Sequence, residues 1–193
     1  MPSVALQRHP ANGCEAVDAI VVAVEREGAE RLALAYTLRG DTSRLRVPAP
    51  AVPARRDELW RHTCFELFLR GGGEAYAELN FSPSGDWAAY AFEGYRRGVT
   101  TLALPEPPQI EPRRTRSELV VEVRVRLPEP PAGSGSPRVA LSAVVEDVAG
   151  RLSYWALAHC GERPDFHAPE GFVLALPAPA GDLCNESRSR EHR

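Results

Sequence analysis

Residues 117–127, SELVVEVRVRL, constrain the fold most. Leu119, Val121, Val123, Val125 and Leu127 fall on one side, and Glu118, Val120, Glu122, Arg124 and Arg126 on the other. A period of two fits a half-buried strand and no helix. Apart from a turn near residues 53–59, the chain offers no amphipathic helix. It offers more short runs of the same kind, cut by Gly and Pro. Residues 17–24 (VDAIVVAV) and 31–38 (RLALAYTL) predict a hairpin across EREG. Residues 60–69, 75–81 and 86–92 predict a meander, with turns at Gly71–Gly73 and at SPSG. Residues 138–147 and 153–158 predict another hairpin across VAGR, and 172–176 a last short strand. PAPAVP at 48–53 lacks the donors of a central strand and reads as a covering loop. Residues 101–112 carry four prolines, which leaves room for a short edge strand only. PEPPAGSGSP at 128–137 is a connection.

About nine short strands with Gly/Pro turns imply an all-β fold, a single antiparallel β-sandwich of jelly-roll type over residues 17–176. Residues 1–16 read as a flexible N-terminus and 177–193 as a disordered tail.

Charge and composition exclude several function classes. A formal net charge of −3, with arginines scattered among glutamates, argues against a nucleic-acid partner. No run approaches the ~18 apolar residues of a membrane span. The start lacks a basic stretch followed by an apolar one, so the reading is a cytoplasmic chain. Cys14, Cys64, Cys160 and Cys184 lie far apart without a CxxC pair, and in that compartment they read as free thiols.

The function-bearing feature is the second face of the meander. In LWRHTCFELFL, Phe65, Leu67 and Leu69 share the core side with Thr63, which sends Trp60, His62, Cys64, Glu66 and Phe68 to the other. In AYAELNF, Ala77, Leu79 and Phe81 match the core, which leaves Tyr76, Glu78 and Asn80 opposite. On the next strand Trp87 falls to the core and Tyr90 to the other face. If the first two strands pair, Glu66 and Glu78 are near neighbours. Like charges there repel by roughly 0.2–1 kcal/mol unless a cation, a proton or a ligand's hydroxyls intervene. One reading is a solvated face screened by arginines. The other is a ligand site in which Trp60 stacks on a sugar ring while His62, Glu66, Glu78 and Asn80 bind its hydroxyls.

The runs LWRHTCFELFL, AYAELNFSPSGDWAAYAFEGYR and HCGERPDFHAPEGF resemble the DOMON-like domain family, and within it the cytoplasmic bacterial branch related to family 9 carbohydrate-binding modules. The resemblance covers roughly residues 17–176. It implies a β-sandwich related to sugar- and haem-binding domains. In family 9 modules a tryptophan stands shortly before a strand of pattern EVF whose glutamate lies in the sugar site; Trp60 and Glu66 in WRHTCFELF match those positions. A second aromatic clamp comes from late in such chains, and Trp155 in SYWALAH is its counterpart. A cytoplasmic sugar, a nucleotide sugar or a cell-wall precursor fits the expected compartment.

The rival readings stay open. The family's haem-binding members commonly use a Met and a His, but the sole methionine here is Met1; a bis-His site would recruit two of His62, His159 and His167. His62, Cys64, His159 and Cys160 lack the spacing of structural zinc, and calcium on backbone carbonyls would leave no trace in the sequence. A glycosidase built on the two glutamates needs a deeper cleft than a flat sheet provides. Asp165 and His167 in GERPDFHAPEGF read as a clip on a loop, with Phe166 plugging the end of the sandwich; the other reading is that this loop contributes to ligand binding. The expected function is non-catalytic binding of a carbohydrate or sugar-bearing metabolite. The alternatives are a haem-binding redox domain, or a protein-interaction domain with no small-molecule ligand.

Overall fold

Alternation along the strands sorts the side chains into layers. A computed structural model describes residues 3–128 and 137–176. The expected tail at 177–193, most of the 128–137 connection and Cys184 lie outside the described residues. Among the described residues twelve strands are formed: β1 (Ser3–Arg8), β2 (Val17–Glu27), β3 (Arg31–Gly40), β4 (Cys64–Arg70), β5 (Tyr76–Phe81), β6 (Trp87–Phe92), β7 (Thr100–Thr101), β8 (Gln109–Arg114), β9 (Glu118–Arg126), β10 (Arg138–Glu146), β11 (Leu152–Ala156) and β12 (Leu174–Ala175). One sheet runs β1-β2-β3-β9-β8. The other runs β7-β6-β5-β4-β10-β11, with β12 beside the start of β10. Every pairing within and between these strands is antiparallel. The all-β antiparallel sandwich read from the sequence is therefore the fold.

The core lies between the sheets. Ile20, Leu34, Tyr36, Leu38, Leu119 and Val121 from one sheet meet Phe65, Leu67, Leu79, Phe81, Leu141 and Val145 from the other. Each such side chain contributes about 1.5–3 kcal/mol on full burial. Tyr36 crosses the core with a polar tip: its hydroxyl donates to the Glu66 carbonyl at 2.8 Å, so the buried phenol is satisfied.

Two expectations need correction. Residues 3–8 are not part of a flexible terminus. Ser3–Leu6 pair with β2, and Gln7 and Arg8 pair with β11, so β1 begins in one sheet and ends in the other. The alternation of VALQR was too short to register as a strand. Strand β4 begins at Cys64 rather than Trp60. Leu59–Arg61 form a 3-10 turn, entered through Glu58 at φ 63° and closed by His62 N–H on the Leu59 carbonyl at 3.1 Å.

The rest follows the sequence closely. PAPAVP packs over the SPSG turn, with Ala51 N–H on the Ser84 carbonyl at 2.8 Å and Ala54 N–H on Asp86 at 3.1 Å. Pro112 sits in β8, at the free edge of its sheet, where a missing donor costs no ladder bond. Among the described residues, no helix is long and apolar enough to cross a membrane.

Candidate ligand-binding site

The outer face of the β4–β5–β10 sheet is not a wet one. Residues 157–172 fold back across it, and Phe68, Tyr76, Ala140 and Phe172 make a second small core there. What remains open is a cleft of about 610 Å³, within the range of ligand sites. Trp60, Tyr90, Phe92, Tyr154 and Phe166 supply aromatic walls, and Glu66 and Glu78 reach it from the sheet. A larger depression of about 760 Å³ near Arg39 and Arg116 is walled mainly by exposed polar side chains and holds no aromatic ring.

The carboxylates are held by strand register. Glu66 on β4 lies opposite Asn80 of β5 and Ser142 of β10, and Glu78 lies opposite Phe68, one step along. The two acids are thus diagonal neighbours on one face. Glu66 is 2% exposed and Glu78 6%. Ser142 Oγ donates to Glu66 Oε2 at 2.9 Å, and Asn80 Nδ2 donates to Glu78 Oε1 at 2.8 Å. Burial first, and the Glu78 charge second, push the Glu66 carboxyl up to about 8. Burial also raises Glu78, against the opposing pull of the Asn80 bond and Arg96. The Cys64 thiol beside them is raised well above its ordinary range, by burial first and then by Glu66, so it is an inert neighbour rather than a nucleophile.

His167 closes one end of the cleft. Tyr76 Oη lies 2.8 Å from its Nδ1, and its Nε2 lies 3.8 Å from Glu78 Oε2. Burial, reinforced by Arg96, lowers His167 to about 4, so the ring is neutral near pH 7. A neutral ring with its proton on Nε2 faces an acceptor on that side and takes the Tyr76 O–H on the other. The loop is clipped as its sequence suggested. Asp165 accepts from Tyr95 Oη at 2.6 Å, from Arg96 at 2.8 Å and from His167 N–H at 3.1 Å. Glu58 (φ 63°) and Arg96 (φ 51°) are the only non-glycine residues with positive φ among those described, and both line this cleft. The left-handed region costs a side-chain-bearing residue about 1–2 kcal/mol, and such strain concentrates at ligand sites.

The sequence-derived candidates divide. Trp60, Glu66 and Glu78 line the cleft together. Trp60 is 45% exposed, and Arg61 covers one face of its ring at 5.3 Å. Asn80 lies beneath, bonded to Glu78. His62 turns away, donating from Nδ1 to Glu146 at 2.7 Å. Trp155 is only 4% exposed; it packs in the core opposite Ala143, with its indole N–H on Ser153 Oγ at 3.1 Å. The residue of β11 that reaches the cleft is its neighbour Tyr154, because successive side chains alternate faces. Tyr90 and Phe92 were not singled out as ligand contacts, and Phe166 and His167 stood only in a loop whose first reading was a structural clip. The alternation of WAAYAF did place Tyr90 on this face, with Trp87 packed on the core.

Of the three histidines considered for haem, His167 alone lines the cleft, and His159 stacks edge-on against His9. Among the described residues no group of three or more His, Cys, Asp or Glu is arranged to hold a metal ion.

By sequence the chain matches no known protein-family model and no curated protein. The fold does have solved counterparts. A candidate carbohydrate-binding protein from Bacteroides uniformis superposes with a TM-score of 0.57 at 12% identity, over 89% of this chain and 84% of that one. A family 9 carbohydrate-binding module from Caldicellulosiruptor kristjanssonii in complex with cellotriose gives 0.48 at 13% identity, over 79% and 70%. The same type of module from that organism in complex with glucose gives 0.44 at 14%, over 72% and 66%.

Proposed function

We propose that this chain is a DOMON-like, non-catalytic domain that binds a carbohydrate or a sugar-bearing metabolite in the cleft between Trp60, Tyr154 and the Glu66–Glu78 floor. One observation carries the reading: an exposed indole shares a ligand-sized cleft with two buried carboxylates. The C–H face of a sugar ring stacks on an aromatic plate, while its hydroxyls need strong acceptors close by. The Bacteroides protein that shares this fold supports the ligand class. The absence of catalysis rests on placement. Glycoside hydrolysis needs carboxyl groups flanking the scissile bond. Glu66 and Glu78 rise side by side from one sheet, and among the described residues no third acid lines the cleft at comparable burial.

A thermal-shift series with neutral sugars (glucose, cello-oligosaccharides), amino sugars and nucleotide sugars tests this beside Trp60→Ala. A ligand at 100 times its Kd stabilises by about 2.7 kcal/mol. The expected result is a sugar-dependent shift in the native chain that Trp60→Ala abolishes. If no sugar shifts either folded protein, the carbohydrate reading is wrong.

A further inference from the structure

The charges around the cleft are matched one for one, except at its floor. Asp57 accepts from Arg55 at 2.9 Å and from the Tyr90 hydroxyl at 2.7 Å. Glu58 pairs with Arg61 at 2.8 Å, and Arg96 is taken by Asp165 at 2.8 Å. Glu66 and Glu78 have no such cation. Among the described residues the only basic group within ion-pair reach is His167, 3.8 Å from Glu78, which burial holds neutral. Of the remaining neighbours, Ser142, Asn80 and Cys64 carry no positive charge, and Arg96, whose charge is felt at Glu78, is held by Asp165. Only one oxygen of each carboxylate takes a hydrogen bond, Glu66 Oε2 from Ser142 and Glu78 Oε1 from Asn80, so at least Glu66 Oε1 is left to the cleft without a donor among the described residues. Buried carboxylates are retained where something pairs with them. The walls point the same way: Trp60, Tyr90, Phe92 and Tyr154 are aromatic, and two of these rings already hold cations, Arg61 over Trp60 at 5.3 Å and Arg55 over Tyr90 at 5.5 Å.

We propose that the Glu66–Glu78 floor receives a protonated amine, so that the ligand is an amine-bearing cation: on the carbohydrate reading above, an amino sugar with a free ammonium group, not a neutral or N-acylated one. The ammonium supplies three donors to the unfilled carboxylate oxygens and cancels their repulsion. A divalent metal ion is a poorer match. Calcium wants six to eight oxygens, and the Asn80 amide turns its nitrogen, not its oxygen, toward Glu78. The ammonium replaces the proton that the pair holds in its absence, so binding releases a proton near neutral pH. Tyr90, raised chiefly by burial, stays neutral there, while Asp57, Glu58 and Arg96 stay in their own pairs.

Isothermal titration at pH 7 with glucosamine, N-acetylglucosamine, glucose and ethanolamine, in two buffers of different ionisation enthalpy, tests the proposal on the native chain, Glu66→Gln and Glu78→Gln. The expected result is glucosamine binding at least tenfold tighter than glucose or N-acetylglucosamine. It comes with buffer-dependent heat from the released proton, and either variant reduces the preference to within about threefold. Equal binding of the three sugars would overturn the ammonium proposal and leave the carbohydrate reading standing. Ethanolamine binding as well as glucosamine, with neither neutral sugar bound, would uphold the ammonium and overturn the sugar. Binding that survives unchanged in both variants, or no binding by any probe, would overturn the proposal.

Discussion

Glu66→Gln keeps the shape of the buried side chain, including an oxygen to accept from Ser142, and removes only the charge. The carboxyl titrates near 8 in the fold against an ordinary 4.5. A raised carboxyl means that the unfolded chain gives up its proton first, so this group's contribution to stability is intact below pH 4.5 and is lost as pH climbs toward 8. At 1.36 kcal/mol per unit, the loss between pH 5 and pH 7 is about 3 kcal/mol. His167 works in the opposite sense. Its ring titrates near 4 in the fold against 6.5, so its contribution is intact above pH 6.5 and falls on acidification, by about 2 kcal/mol between pH 7 and pH 5. The two oppose each other in the native chain; Glu78, raised as well, adds to the Glu66 side, and His159, lowered by burial, adds to the His167 side. The variant isolates the Glu66 contribution. Equilibrium urea denaturation at pH 5, 6 and 7 should show Glu66→Gln gaining about 3 kcal/mol on the native chain as pH rises. That is roughly 6–12 °C in Tm for a domain of this size. If the stability difference between the two proteins changes by less than about 0.5 kcal/mol over that range, the carboxylate is not buried as described, and the electrostatic account of the floor fails with it.

Further substitutions read other parts of the structure. Trp60→Ala, at a half-exposed turn position, should change unfolding free energy by no more than about 0.5 kcal/mol in denaturation while removing ligand-induced thermal shifts. Leu67→Ala, fully buried between the sheets, should cost about 2–5 kcal/mol by the same measurement. Asp165→Ala removes two hydrogen bonds that join residues 95–96 to the 165–167 loop and a third within that loop; hydrogen exchange should rise over residues 93–99 with little change in strands β2, β3 and β9. Gly40→Ala should prevent normal accumulation of folded protein, since a Cβ there would lie 2.1 Å from the Ala16 carbonyl oxygen at a φ of +146°.

What the sequence disclosed follows from which signals are local. Strict alternation in β9, and turn chemistry at SPSG and VAGR, act over a few residues and were readable. The pairing of Glu66 and Glu78 on one face followed from period-two counting through two strands and one tight turn. Two things were not readable. The burial of that face depends on residues 157–172 returning from far along the chain, and alternation in β4 and β5 says nothing about what lies over it. The exchange of Trp155 for Tyr154 is a parity error: SYWALAH carries two adjacent aromatics, and its own alternation does not say which faces in. The register of β11 on β10 settles it by setting Trp155 opposite Ala143 in the core.

Strand β1 has a consequence for how the domain associates. Because Ser3–Leu6 complete one sheet and Gln7–Arg8 the other, this single segment covers both the β2 edge and the β11 edge. Displacing it exposes two rows of unpaired backbone donors and acceptors at once, set side by side. A second molecule's β1 would fit both, so the segment is a natural element for strand exchange between copies. A shortened N-terminus should appear in size-exclusion chromatography as self-association before any loss of ligand binding, since none of its residues reaches the cleft.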